Sequence, residues 1–148
     1  MKVLIQRVKR ASVTIDNKLF SEINHGLLVF LGVEKNDSEK EIDWLANKIL
    51  NLRIFEDENE KMNYSVKDVN GEILLVSQFT LAGNCQKGNR PSFDKAMYPD
   101  DAKILYEKFI ETLKKEIPTQ TGSFGAMMEI NLLNDGPVTF MIEKQFQE

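Results

Sequence analysis

The sequence is poor in the residues that most often carry catalysis or bind metal: it has one cysteine, Cys85, and one histidine, His25. A lone cysteine excludes an internal disulfide and fits a reducing cytosol, the compartment expected for this chain. One Cys and one His cannot build an all-Cys/His zinc site within one chain, so no metal is expected. The histidine sits in the turn Asn24-His25-Gly26, where a surface residue is more common than a catalytic base. Cys85, in a polar loop, has no neighbour that would activate a thiolate. No Walker or dinucleotide glycine pattern is present, and no cofactor is expected. No apolar run approaches the roughly 18 residues of a membrane helix. Met1 to Arg7 turns charged too early for a secretory signal. Repeats, low-complexity segments and linkers are also missing. Positive charge is in short supply, 19 Lys and Arg against 23 Asp and Glu, a net −4. That balance argues against a general nucleic-acid-binding surface, so any RNA contact must use local basic clusters.

What remains is enough for one core. With 148 residues, 42% of them apolar, a single domain spanning 1–148 is expected. Residues 3–15 read as a long or bent strand, with Val3, Ile5 and Arg7 on one face. Arg7 is then either a strand-end charge reaching water or a guanidinium turned inward onto a carbonyl or carboxylate. Lys9 and Arg10 add a small basic patch. Asp16-Asn17-Lys18 turns the chain into a short strand, Leu19 to Ile23. Leu27 to Leu31 is apolar on both faces and reads as a covered central strand. Ser38 with Glu41 makes a capping box, and Ile42, Leu45, Ile49 and Leu52 form the apolar stripe of a first helix. The run from Glu56 to Lys61 reads as a solvated loop. Glu72 to Phe79 reads as a strand after the turn at Asn70-Gly71. Pro99, Asp100 and Asp101 open a second helix that buries Leu105, Phe109 and Leu113 and stops before Pro118. A final pair of strands follows. This order predicts an α+β fold with two main helices on a mostly antiparallel sheet.

Two stretches stand out. Ser77-Gln78-Phe79-Thr80-Leu81 brings hydroxyls and an amide to a strand end, where sites are often built. The long loop after it carries Lys87, Arg90 and Lys95, which either meet phosphates or serve solubility. Near the C-terminus, Asn134-Asp135-Gly136-Pro137-Val138-Thr139 places a Gly-Pro pair where a plain hairpin would put an ordinary residue after Gly. With so few bases available, an enzyme built on this chain must work through backbone donors, hydroxyls and the substrate's own groups. That suits an activated ester, whose oxyanion needs stabilising more than a strong base is required.

Together with Gly88-Asn89-Arg90-Pro91-Ser92-Phe93, Thr121-Gly122-Ser123-Phe124-Gly125-Ala126 and the opening Gln6-Arg7-Val8, these motifs resemble the D-aminoacyl-tRNA deacylase family along essentially the whole chain. The resemblance implies a cytoplasmic homodimer, its sheet barrel-like in the dimer, that hydrolyses the ester between a D-amino acid and the 3′-terminal ribose of tRNA. It implies that Gly136-Pro137 is a Gly-cisPro dipeptide inserted into the partner's pocket, where it rejects L-aminoacyl groups. Arg7 would hold that dipeptide in position. Ser77, Gln78, Phe79 and Thr80 would form the catalytic pocket, completed by Phe124 and Gly125. Thr80 is either a nucleophile or a positioning group beside a ribose hydroxyl that assists water; the lack of a base in the motif favours the second. Two other classes stand beside this reading. One is a non-enzymatic RNA-binding module leaning on Lys9, Arg10, Lys87 and Arg90, against which the net charge counts. The other is a small-molecule ester hydrolase using the same pocket without tRNA.

Overall fold

The computed structural model describes residues 1–146; Gln147 and Glu148, the end of the expected 1–148 domain, lie outside the described residues. The long strand β1, Lys2–Ile15, organises the sheet. A two-residue turn with Asp16 and Asn17 both at positive φ leads into β2, Lys18–Ile23; such turns match the twist of a hairpin and favour Asx residues. β2 pairs with the C-terminal half of β1, and β3, Gly26–Gly32, pairs with its N-terminal half, both antiparallel. The other edge of β1 is taken along its length by β8, Glu129–Glu143, also antiparallel.

The remaining pairings correct the expected sheet. β6, Glu72–Ser77, runs parallel to β3, and β7, Thr119–Thr121, runs parallel to β6. The sheet is mixed, not mostly antiparallel. The reason is the crossover: β3 is followed by α1, Glu39–Asn51, before β6, and β6 is followed by α2, Pro99–Lys114, before β7. A helix spanning one face returns the chain to the same end of the sheet, which makes the next strand parallel. A small hairpin of β4, Phe55–Glu56, and β5, Met62–Tyr64, interrupts the first crossover. The strand expected to end at Phe79 ends at Ser77, and β7 was not foreseen. The expected final strand pair is one strand, β8, with a loop thrown out of its middle.

Both helices form where the sequence puts them. Ser38 caps α1 and Glu41 completes the capping box. α1 buries Ile42, Leu45, Ala46 and Ile49, while Leu52 falls at the cap and is half-buried. α2 buries Ala102, Tyr106, Phe109 and Leu113, with Leu105 half-buried. These stripes pack on the sheet face carrying Val3, Ile5, Leu27, Val29, Leu31, Ile73 and Leu75. The opposite face holds a second, smaller cluster around Val8, Val13, Leu28 and Leu74. That face is covered because the sheet curls: Ser21 of β2 donates a hydrogen bond to the Thr121 carbonyl of β7 at 2.6 Å. The near-closure is therefore made within one chain. β3 and β6 approach so closely at Gly26 that a Cβ there would lie 1.9 Å from the Glu72 carbonyl oxygen.

Candidate functional site

The Gly-Pro stretch is a loop expelled from a strand edge. Gln6 pairs with Thr139 and Val8 with Asn134, so a single β1 residue, Arg7, faces the segment from Asp135 to Val138. Asn134 closes the loop at its neck. Its side-chain oxygen accepts the Val138 N–H at 2.8 Å, and its amide nitrogen donates to the Val138 carbonyl at 3.1 Å and to the Thr139 hydroxyl at 3.2 Å. Arg7, only 4% exposed, is turned inward. Its Nε donates to the Asp135 carbonyl and its Nη1 to the Ile54 carbonyl, both at 2.8 Å. The carboxylates of Asp135 and Glu56 lie 3.5 and 3.7 Å from the guanidinium. The carbonyl that Arg7 grips thus belongs to the residue before Gly136, and the planar fork ties it to the β4 segment. Gly136 and Pro137 themselves are exposed, joined by a cis bond. Gly136 has no room for a side chain, since a Cβ would meet the Val138 nitrogen at 2.5 Å. His25 stands beside this assembly, its Nε2 4.0 Å from the Asp135 carboxylate and its ring edge-on to Phe55.

The strand-end stretch lies elsewhere, on a cleft of about 720 Å³. β6 stops at Ser77, the Gln78 N–H donates to the Leu31 carbonyl at 2.7 Å, and Phe79–Ala82 winds into a short 3₁₀ turn. Ser77, Gln78 and Phe79 line one wall. The opposite wall is the turn Ser123 to Ala126, where Gly125 adopts φ +77 and the Phe124 ring rests on Tyr106, centroids 5.7 Å apart. Tyr106 is buried and donates its hydroxyl to the Leu75 carbonyl at 2.8 Å; burial pushes its pKa up to about 12. It is a support for the wall, not a proton donor. The floor is apolar, with Val76, Ala102, Met128 and Ile130. Among the described residues, the backbone N–H groups of Phe79, Phe124 and Gly125, all three lining the cleft, have no acceptor within the chain. Unpaired donors on both walls are what a developing oxyanion requires.

The structure therefore brings together Ser77, Gln78, Phe79, Phe124 and Gly125, and separately Arg7, Gly136 and Pro137. Thr80 is exposed on the 3₁₀ turn just behind the wall and does not line the cleft. Its hydroxyl accepts a hydrogen bond from the Gln78 side-chain amide, which draws electron density from the oxygen. Lys35 and Asp94 are the charged groups lining the cleft, and His25 lies with the loop. Among the described residues, no group of His, Cys, Asp and Glu could hold a metal ion, and no helix is long and apolar enough to cross a membrane. Sequence reasoning missed Asn134 and the β4 segment as the loop's supports. Asn134 stood inside the quoted motif, but its role depends on a register break that no local pattern reveals. The run from Glu56 to Lys61 is not only a solvated loop, because Glu56 flanks Arg7.

A curled mixed sheet with two crossover helices is shared with solved structures. One described as c-Myc DNA Unwinding Element Binding Protein is 45% identical and superposes with a TM-score of 0.94, covering 99% of this chain and all of that one. Another, described as a "probable eukaryotic D-amino acid tRNA deacylase", has a TM-score of 0.79 over 95% of this chain and 97% of that one; at 17% identity it shares the fold alone. Among curated relatives, the D-aminoacyl-tRNA deacylase of Fusobacterium nucleatum subsp. nucleatum is 61% identical over 97% of this chain and 95% of its own length. That of Thermodesulfovibrio yellowstonii is 56% identical over 96% and 98%. The family described as D-Tyr-tRNA(Tyr) deacylase matches residues 4–143, and the chain belongs to it.

Proposed function

We propose that this chain, acting as a single domain, hydrolyses the ester of D-aminoacyl-tRNA and so proofreads translation in the cytoplasm. Membership of the family and the names of close relatives support the reaction; the geometry supports how it is done. The observation that carries the mechanism is the separation of loop and cleft. Ser77 is in register with Leu31, which pairs with Val3, four residues from Arg7 on β1. Ile130 of β8 reaches the cleft floor, but the loop begins at Asn134, four residues or about 13 Å further along that strand, and none of residues 134–139 lines the cleft. A loop that far from its own cleft can shape a pocket only in a second copy. β8 is a long edge strand exposing Leu132, Leu133, Phe140 and Met141, the kind of edge that needs cover. A homodimer answers both needs, with Gly136-Pro137 of each protomer seated in the cleft of the other.

In that arrangement the aminoacyl ester lies between the two walls. The free N–H groups of Phe79, Phe124 and Gly125 stabilise the carbonyl oxygen as it gains charge. Ser77 and Gln78 orient the ribose and aminoacyl group. Thr80, behind the wall, acts through Gln78, whose side-chain amide it anchors, while the ribose hydroxyl assists water, since no base faces the Thr80 oxygen. The backbone of the Gly-Pro loop forms a wall at the substrate α-carbon that excludes an L side chain and leaves a D side chain pointing to the open mouth. Rejection of this kind reads the absence of an L side chain, so glycyl-tRNA is also hydrolysed.

The test is single-turnover hydrolysis of D-alanyl-, glycyl- and L-alanyl-tRNA, with a simple D-amino ester as control. D-alanyl and glycyl substrates should react and the L substrate should not. If the parent spares glycyl-tRNA as completely as L-alanyl-tRNA, the pocket reads a D side chain directly and the wall account is wrong. Equal activity on the simple ester would favour the small-molecule hydrolase. Sedimentation should report a dimer, and a fully active monomer would refute the cross-subunit loop.

A further inference from the structure

β1 carries a second irregularity beside the expelled loop. Val8 pairs with Asn134 and Arg10 with Leu133, so Lys9 is an extra residue on β1. A bulge of this kind breaks the alternation of side chains and re-aims them. Its effect here is visible in the burial: Val8 and Ala11 are buried, while Lys9 and Arg10 between them are both exposed. A regular strand would have turned one of the two inward. Among the described residues neither makes an ion pair, and the nearby Asp135 carboxylate is already engaged by Arg7. The bulge therefore spends two adjacent unneutralised cations on one spot of an acidic chain. That spot is next to the loop: Lys9 is two residues and Arg10 three from Arg7, about 7 and 10 Å along the strand.

We propose that Lys9 and Arg10 bind phosphates of the RNA substrate in trans, at the mouth of the partner's cleft. The inference rests on the cross-subunit reading above. If Gly136-Pro137 of one protomer enters the cleft of the other, the bulge at the loop's base arrives at that cleft's rim. Substrate enters there, trailing the single-stranded 3′ end of the tRNA. The cleft is lined by one basic residue, Lys35, and one acid, Asp94, and Lys95 is exposed next to that acid; the bulge adds two further cations for the anionic strand. Each protomer would thus hold the tRNA whose ester its partner cleaves.

The experiment compares D-alanyl-tRNA with D-alanyl-adenosine, which has the ester and the terminal nucleoside but no phosphodiester. Lys9→Ala with Arg10→Ala should raise KM for the tRNA at least tenfold, leave kcat unchanged, and leave both constants for the adenosine ester unchanged. Two lost phosphate contacts should also lower the slope of log(kcat/KM) against log salt by about 1.4. Arg10→Lys with Lys9→Arg keeps the charges and should restore the parent KM. An unchanged KM for the tRNA, or equal losses on both substrates, would overturn the proposal. Hydrolysis of neither substrate by the parent would instead sink the deacylase reading itself.

Mixed dimers decide which cleft the cations serve. One chain has its cleft filled by Ala126→Trp, or by Ser77→Trp if the first does not assemble. When the open-cleft chain carries the Lys9 and Arg10 substitutions and the filled chain does not, KM should equal the parent's. When both changes sit on the filled chain, KM should rise as in the double variant. The reverse pattern would place the cations in cis and overturn the proposal.

Discussion

Arg7→Ala separates what the loop needs to fold from what it needs to discriminate. The guanidinium donates two charged hydrogen bonds to otherwise unmatched carbonyls, Asp135 and Ile54, each 2.8 Å long. Each contributes about 1.5–3 kcal/mol net of desolvating the charge, a loss of about 3–6 kcal/mol for the two. The ion pair with half-exposed Glu56 adds less than about 1 kcal/mol. The cost is therefore about 3–6 kcal/mol, or a Tm lower by roughly 6–24 °C for a chain of this size. Asn134 still closes the neck of the loop, so the loop persists but loses its anchor to β4. L-alanyl-tRNA should then be hydrolysed at least tenfold faster than by the parent, before bulkier L substrates, while the D-alanyl rate changes little. Arg7→Lys, a point donor unable to span both carbonyls, should fall between. The assay is single-turnover hydrolysis well below the variant's Tm, beside thermal unfolding. If Tm falls as expected and rejection of L-alanyl-tRNA is untouched, the wall does not depend on Arg7 and the reasoning fails.

Other outcomes follow from the same geometry. Thr80→Ala should keep substantial deacylation; complete loss with substrate binding intact would make Thr80 a nucleophile. Gly26→Ala should destabilise by about 3 kcal/mol or more, because its Cβ would overlap the Glu72 carbonyl and force β3 from β6; denaturant unfolding reads it directly. Acid stability has two opposed contributors. Burial raises the Glu41 carboxyl, but hydrogen bonds from the Phe146 N–H and from Ser38 outweigh it and leave it below its ordinary 4.5. Its contribution is present above that value and lost as pH falls through the lowered one. Asp37 is raised from 3.8, mainly by burial and against help from the Glu34 N–H and the Met1 ammonium. Its stabilising neutral form is present below 3.8 and lost as pH rises through the raised value. Unfolding measured against pH should show Glu41→Gln flattening the acid limb and Asp37→Asn steepening it.

Local signals were legible in the sequence. The Ser38–Glu41 cap, the helix stripes and the shared face of Arg7 with Val3 and Ile5 depend on neighbours a few residues away, and all three are found; the inward turn of the guanidinium is not decided by that register. Strand direction was misread although a signal existed. Leu27 to Leu31 is apolar on both faces and is followed by an amphipathic helix and then by another apolar strand. That is the pattern of a parallel pair under a crossover helix. The residues that the motifs single out fall into two separate groups, a division that no motif carries. That Arg7, Gly136 and Pro137 gather away from Ser77, Gln78 and Phe124 is decided by strand order, which no window of sequence contains. The Lys9 bulge was hidden for the same reason, since a bulge exists only relative to the strand it opposes.

The neck formed by Asn134 makes the expelled segment self-contained. A carboxamide there does what a neighbouring strand's peptide would do, taking one N–H and giving one back. The segment's shape is consequently written in six consecutive residues, 134–139, and one arginine on the adjoining strand. Such a unit is a cassette. Its tip can be rewritten, shortened or recoded for a different substrate without disturbing the ladder on either side, provided that asparagine and that arginine stay. Grafted onto another antiparallel edge with an inward arginine at the facing position, it should carry its shape with it.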